Sequence, residues 1–560
     1  MRSAGIILLA MAGCAAGSEV SAVRFVNAPI VGAVDDREDV PKPPAKRLFL
    51  PFLYVFDGVI DRRLSRALEL PRDRRALGVN AVDEVPDSTW FTNRIGARDM
   101  TPDEVRTGSV THDPQLHKPW TVRSTKIGGT SPGFILKDAS GVKYMIKFDG
   151  ADAPPELETG THVTVNRLLW ACGYNVPEDQ VVYPRPEDLV LAADATVKDL
   201  TGADTGRLDR AELDRQLALV RHEPDGRIRA LASRWIDGTT IGGHPAEGVR
   251  EDDPNDRIPH ELRRDLRGQY AIYAWLDALD VTEGQYVDSW LTDPADPRRH
   301  YVEHYAIDFG KSLGAMAAID LDWWRGFAYY IDFAGMLRSL VTLGLADRPW
   351  QDRMAPPLSG VASVFDAKTF DPGSWHPDTP GYLPFLTADR IDKFWGAKIV
   401  ARFTRAQIHA AVEAGRFSDP RAVDYITDTL VARQRATAAY WFARVDPLDR
   451  FEIGRAAAGD TLCFDDLAVR YRLAAASATH YAIDAFDRDG RAVGPRVELA
   501  GASDGHACTA QLPLAPHGHD DGYTIFRIAS TRPGFSGETF VHVAREPSSA
   551  ALRVIGLWRP

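Results

Sequence analysis

The distribution of apolar and polar positions divides the chain into stretches of different texture. From about residue 85 to 310, short alternating runs interleave with segments whose apolar residues recur at three and four, which predicts strands and helices in turn. The clearest strands flank the turn Asp138-Ala139-Ser140-Gly141: Phe134 to Lys137 on one side and Val142 to Phe148 on the other. In the second of these, Val142, Tyr144, Ile146 and Phe148 share one face, and Lys143, Met145 and Lys147 the other. Val165, Leu168, Leu169 and Cys172 have the spacing of a buried helical stripe, which Gly173 and Pro177 bring to a close. Leu262, Leu266, Tyr270 and Tyr273 predict a further helix that delivers Asp280 to its end. From 320 to 447 the period is helical throughout, and beyond about 455 short runs separated by Gly, Asp and Pro predict a small all-β domain.

These textures predict an α+β protein with several parts. Residues 1–13 read as a signal peptide and 14–84 as a Pro-, Asp- and Lys-rich tether followed by an apolar helical segment. Residues 85–450 form a core, β-rich over about 85–240 and helical over about 241–450, and 451–560 form a β-sandwich-like domain. A chain of 560 residues exceeds one ordinary core, which agrees with this division. With 44% hydrophobic and 26% charged residues it has the composition of a folded globular protein. A net charge of −12 argues against a general nucleic-acid binder, which presents a basic surface.

The N-terminus changes the picture of where the protein works. Arg2 precedes nine apolar or small residues from Ala4 to Ala12, too few to cross a bilayer, for which about 20 are needed. Met11-Ala12-Gly13-Cys14 resembles a bacterial lipobox, in which Cys14 is acylated and becomes the first mature residue; an ordinary signal peptide with an incidental Cys is the alternative. The expected location is the bacterial cell envelope, lipid-anchored and, with Ala15 after the Cys, at the outer membrane. In such oxidising surroundings Cys463 and Cys508 can pair, whereas Cys172 falls on the apolar side of its helix and reads as a buried thiol. No Cys/His spacing suggests zinc.

Candidate chemistry lies in the core. Gly128, Gly129, Thr130 and Gly133 form a glycine-containing stretch one hairpin away from Lys147. Glycines let backbone N–H groups approach phosphate oxygens, and a Lys supplies a point charge; a surface hairpin with a solvated Lys is the alternative. Glu156 and Glu158 stand near the start of the next helix, either to hold that Lys by an ion pair or simply as acids favoured by the helix dipole. Asp280 is followed five residues later by Gln285, where a kinase catalytic loop has Asn, and Asp308-Phe309-Gly310 comes after a further strand-like run. Asp252 to Asp256 ("DDPND") lacks the twelfth-position Glu of an EF-hand and reads as a solvated acidic turn. No G-x-S-x-G stretch marks a serine hydrolase.

The order of these pieces resembles an atypical kinase-like family. Carried by "DSTWFTNRIG", "KIGGTSPGF", "YMIKFDG", "PELETG", "ACGYNVPE", "LASRWIDG", "DDPNDRIPHELRRDLR" and "HYAIDFGKSLG", the likeness spans about residues 88 to 320. It is to uncharacterised bacterial lipoproteins whose core is similar to HipA-type toxin kinases, spore-coat CotH kinases and phosphatidylinositol kinases. The resemblance implies a bilobal fold that binds ATP with Mg²⁺ or Mn²⁺, with Lys147 on the phosphates, Asp280 as catalytic residue and Asp308 on the metal. Two positions depart from it: His162 stands near the usual helix Glu, leaving Glu156 or Glu158 as substitutes, and Gln285 replaces Asn. The alternative is a pseudokinase or a surface scaffold that binds a partner without turnover; the acceptor is not written in the sequence.

Overall fold

A computed structural model describes residues 20, 23–49, 54, 56–62, 65, 74–127, 132–150, 154–199, 202–315, 324–352, 355–457, 459–516 and 521–560. Helices and sheets are mixed along the chain, which divides into two compact units. One comprises Val31–Asn80 and Glu84–Val445; the other comprises Asp446–Pro560 with Ala81–Asp83 and the described part of Met1–Ile30.

The larger unit has a π-helical segment at Asp57–Asp61, within the stretch read as helical, and then helix α1 (Pro102–Thr107), capped by Thr101 and Glu104 reciprocally, before a seven-stranded sheet. Its strands are β1 (Trp120–Thr125), β2 (Gly133–Lys137), β3 (Lys143–Phe148), β4 (Asp179–Val182), β5 (Leu189–Lys198), β6 (Asp204–Arg207) and β7 (Ala230–Arg234), in the order β4-β7-β3-β2-β1-β5-β6. Only β1 and β5 run parallel among these neighbours. Trp120, Val122, Phe134, Leu136, Tyr144, Ile146 and Phe148 make the core on one face, joined by Leu213 and Leu217 of α3 (Arg210–Leu217). The other face is crossed by α2 (Leu157–Cys172), whose Val163 packs on Val181 and Leu231.

Two strands then form the hairpin β9 (Tyr286–Thr292) and β10 (His300–Ala306), extended by the short β8 (Thr239–Thr240). The helices of this unit after β8 are α4 (Arg264–Leu276), α5 (Phe333–Val341), α6 (Leu383–Thr387), α7 (Arg390–Ala401), α8 (Arg405–Ala414) and α9 (Pro420–Phe442). Helices α4 and α7 touch through glycine: a methyl on Gly396 would press into the Gly268 carbonyl oxygen, and one on Gly268 into the Trp395 ring. Of the helical reading from 320 onward, the described residues of 345–382 form turns and one short 3₁₀ segment instead; six prolines and three glycines there, with their fixed or permissive φ, break the period. Helix α5 does form, with Met336, Leu337, Leu340 and Val341 exposed.

The second unit holds the strands β11 (Leu448–Ala456), β12 (Gly459–Asp466), β13 (His480–Asp487), β14 (Val497–Ala500), β15 (His506–Cys508), β16 (Thr524–Arg532), β17 (Phe535–Arg545) and β18 (Leu552–Trp558), with one short helix α10 (Leu467–Arg470). They make sheets in the orders β11-β12-β15 and β14-β13-β16-β17-β18, and side chains from both meet in one core around Phe464, Tyr481, Ile528 and Val541. A disulfide joins Cys463 and Cys508 where β12 and β15 face each other.

The segment read as a tether is largely exposed but is held at several points where it is described. Phe25 lies against His542 and Asn27 donates to Asp521 and the Arg545 carbonyl in the second unit. Val40 is buried in the first unit, where Arg47 pairs with Glu283 at 2.6 Å. Asp253 and Asp256, read as part of a solvated turn, are buried too, because Asp256 accepts from the Arg250 N–H and faces His260 Nε2 at 2.8 Å. Among the described residues no helix is long and apolar enough to cross a membrane.

Candidate functional site

Strand alternation sends Tyr144, Ile146 and Phe148 into the sheet core, so Lys147 faces the opposite way. Gly133 pairs with Lys147 across the hairpin, and a Cβ there would collide with the Ile146 carbonyl oxygen; the glycine is needed for the close approach. Lys147 is buried, and its Nζ donates to Asp308 Oδ1 at 2.5 Å across 161 residues of sequence. Asp308 adopts the left-handed conformation with φ 62°, which Asp tolerates better than most residues and which turns the chain at this point. Its carboxylate lies in a crowded recess yet remains 45% exposed.

Gln285 lies beside Asp308. It closes a 3₁₀ turn before β9, and its carbonyl accepts from the Ile307 N–H at 2.9 Å, one residue before Asp308. Its side-chain Oε1 is buried without a hydrogen-bond partner. A buried acceptor left unmade costs about 1–3 kcal/mol, so this oxygen suits a ligand. An amide oxygen and a carboxylate such as that of Asp308 are both hard donors of the type Mg²⁺ or Mn²⁺ takes.

The two glutamates have different neighbours. Helix α2 begins after Glu156, whose φ of 65° turns the chain, and its Oε2 accepts from the Ser418 N–H at 3.0 Å. Glu156 is therefore tied to the segment preceding α9 rather than to Lys147. Glu158, in the first turn, packs against Gly310; a Cβ on that glycine would lie 3.0 Å from Glu158 Cγ. His162, further along, is buried and faces Asp179 Oδ2 at 2.8 Å, with the Phe309 ring beside it.

Three groups that the sequence did not single out complete the surroundings. Lys126 directly follows β1, its N–H bonded to the Gly133 carbonyl at 2.9 Å. Burial and the neighbouring Lys147 push its ammonium down to about 8, against the pull of Asp308 and Glu158. Lys311 donates to Asp280 Oδ2 at 2.7 Å, and backbone bonds from Leu279 to Lys311 and from Leu313 to Leu276 lace the two loops together. Asp378 donates its N–H to the Leu279 carbonyl and is pushed up to about 6 by burial, with Arg325 opposing and Asp280 adding to the rise. Lys126 and Lys311 sit inside the stretches that carry the family likeness and could have been found by charge; Asp378 carries no sequence signal.

Electrostatics favour an ionised pair at the centre. Burial works against the charge on Asp308, but Lys147, His162 and Lys126 outweigh it and hold the carboxyl well below its usual range. Burial likewise opposes the Lys147 cation, and Asp308 more than compensates, leaving its pKa raised. The arrangement thus gathers Lys147, Lys126, Asp308 and Glu158, with the Gln285 backbone bonded one residue before Asp308 and with Asp280 and Lys311 as a second pair. Gly128, Gly129 and Thr130 lie outside the described residues, as does Cys14. Cys463 and Cys508 belong to the other unit.

No protein-family model matches the chain, and no curated protein matches it. A solved structure described as the Golgi casein kinase with Mn/ADP bound matches over 72% of this chain and 94% of its own, at 11% identity and a TM-score of 0.26. A likeness that slight says nothing of this chain's chemistry.

Proposed function

We propose that the chain is a kinase-like phosphotransferase that binds ATP with Mg²⁺ or Mn²⁺ and passes a phosphoryl group to a hydroxyl-bearing acceptor. The observation that carries this reading is the Lys147–Asp308 contact, which brings a sheet lysine and the aspartate of Asp-Phe-Gly to one point. In this reading the seven-stranded sheet is the nucleotide lobe and the helices from α4 onward form the second lobe. Lys147 and Lys126 hold phosphate oxygens as point charges. Asp308 and Gln285 hold the cation, which draws charge from the phosphates when bound. Asp280 orients the acceptor hydroxyl and takes its proton, and the Lys311 ammonium donates to its Oδ2.

The anchor belongs to the same proposal: Cys14 is acylated and tethers the protein to the outer membrane, supported by the lipobox pattern at Met11 to Cys14. A Cys14→Ser variant is expected in the soluble fraction, and its persistence with membranes would remove this part.

Thermal unfolding tests the nucleotide site. Ligand at 100 times its Kd stabilises by about 2.7 kcal/mol, so ATP with Mg²⁺ or Mn²⁺ is expected to raise the Tm and Lys147→Ala to lose most of the rise. No shift with any nucleotide and cation would overturn the reading. Gln285 in the Asn position favours a second one, a nucleotide-binding scaffold without turnover, since the extra methylene fits octahedral Mg²⁺ less well. A thermal shift without phosphate transfer would select it.

A further inference from the structure

The hairpin that joins Gln285 to Asp308 also encloses a second cluster. Asp288 on β9 and His304 on β10 are direct partners in the strand register. His244 joins them from the loop after β8, which is laced to β9 by the bonds Ile241 N–H to Asp288 O (2.9 Å) and Asp288 N–H to Gly242 O (2.8 Å). All three side chains are buried. One ligand atom from each lies within 4.8 Å of the other two.

As an ion-pair network this cluster is incomplete. Asp288 Oδ1 lies 2.7 Å from His304 Nδ1, but His244 Nδ1 stands 3.5 Å from the same oxygen and makes no hydrogen bond. Asp288 Oδ2 has no hydrogen-bond partner either; Arg250 Nε stops 3.6 Å away and is itself unbonded. Buried charged groups that pair with each other normally close to about 2.7–2.9 Å. Here only the His304 contact closes to that range, and the other two stop at 3.5 and 3.6 Å.

We propose that His244, Asp288 and His304 form a buried structural zinc site. Zinc takes imidazole nitrogen at about 2.0–2.1 Å and carboxylate oxygen at about 2.0–2.2 Å, distances that set neighbouring ligand atoms roughly 3.3 Å apart in a tetrahedron. The observed spacings of 2.7 and 3.5 Å bracket that value. Both imidazoles present Nδ1 and Asp288 presents one carboxylate oxygen, so the chain supplies three donors, the otherwise unbonded His244 Nδ1 among them, and the fourth corner falls to a donor from outside the cluster. The supporting shell is present: His244 Nε2 faces the Tyr382 hydroxyl at 3.4 Å, and Trp90 stacks on His304 with ring centroids 3.4 Å apart. The metal fastens the β8–β9 loop to both strands of the hairpin whose ends carry Gln285 and Asp308. The proposal stands independently of any nucleotide chemistry.

Elemental analysis of the full chain, purified without chelator, is expected to find about one zinc per chain. Zinc chloride is expected to restore the Tm lost on chelation, and cobalt(II) chloride to give the visible absorption of a four-coordinate site. His244→Ala leaves β9 and β10 paired, because its position is in a loop; it is expected to weaken zinc binding at least tenfold, as loss of even a supporting residue does. Zinc below about a tenth per chain, with no Tm response to added zinc, overturns the site. Zinc retained at parent affinity by His244→Ala overturns the ligand assignment.

Discussion

Asp308 and Asp280 each meet a lysine, and the two pairs occupy different places. Lys147 comes from the sheet and is buried, whereas Lys311 follows Gly310 directly and is partly exposed. In the proposed reading Asp308 touches the cation and Asp280 only the acceptor, so their loss separates binding from chemistry. Asp308→Asn is expected to abolish the nucleotide thermal shift. Asp280→Asn is expected to keep the shift and lower turnover by about 10²–10⁴-fold, the range for a general base. Equal loss of the shift in both variants would contradict the assignment. Lys126 gives a pH test with a definite sign. Its pKa of about 8 means that it is cationic below that pH and neutral above it. An ammonium facing phosphates favours binding only while protonated, so nucleotide affinity is expected to fall between pH 7 and 9. Calorimetric titration at both values measures this, and Lys126→Met is expected to be weaker throughout and flatter with pH. A parent profile already flat would remove Lys126 from the site.

Helix α4 is held against α7 by glycines, and this contact leads into the loop that carries Asp280. A methyl at Gly396 meets the Gly268 backbone oxygen, which cannot rotate away as a side chain can. Overpacking of this kind costs about 1–3 kcal/mol. Alanine recovers at most about 1 kcal/mol in helix propensity. Gly396→Ala is therefore expected to lower the Tm, while Gly206→Ala, where nothing lies within 4 Å, is expected to leave it nearly unchanged. A Gly396→Ala protein as stable as its parent would show that the two helices can separate at little cost. Elements differ in how far their sequence discloses such surroundings. The β2–β3 hairpin is legible because Tyr144, Ile146 and Phe148 alternate against lysines, and a two-residue period has one structural meaning. The apolar stripe of α2 predicts a helix but not its depth. Its polar residues are buried as well: Thr159 bonds to Asp149, while Asn166 bonds to Asp179 and Arg167 to the Asp179 carbonyl. Polar residues can be buried where distant partners satisfy them, and sequence spacing does not show those partners. The same reason hid the roles of Glu156 and Glu158, which the turn at φ 65° sends to different neighbours. Asp288 and His304 face each other only once the hairpin register is set, and His244 arrives from a separate loop well upstream in the chain, so no local motif announces their cluster.

At the scale of the whole molecule the two compact units have different covalent reinforcement. Cys463 and Cys508 close a loop of 45 residues in the unit built mainly from Asp446–Pro560. A cross-link of that length restricts the unfolded chain by about 4 kcal/mol on loop-closure grounds. The other unit has Cys172 alone, fully buried, its thiol pushed far above the usual range by burial and so a poor nucleophile. The Cys508 residue lies exposed on the short strand β15, where a small reductant can reach the bond. Reduction should therefore act on one unit and leave the other as it was. Scanning calorimetry is expected to resolve two transitions, because separate cores unfold as separate cooperative units. Dithiothreitol, or replacement of both Cys463 and Cys508 by alanine, is expected to lower one transition by several degrees without moving the second. ATP with its cation should do the converse, raising only the transition that contains Lys147 and Asp308. If reductant and nucleotide moved the same transition, the two units would be unfolding as one, and stabilisation of the nucleotide site would then depend on a disulfide in the other unit.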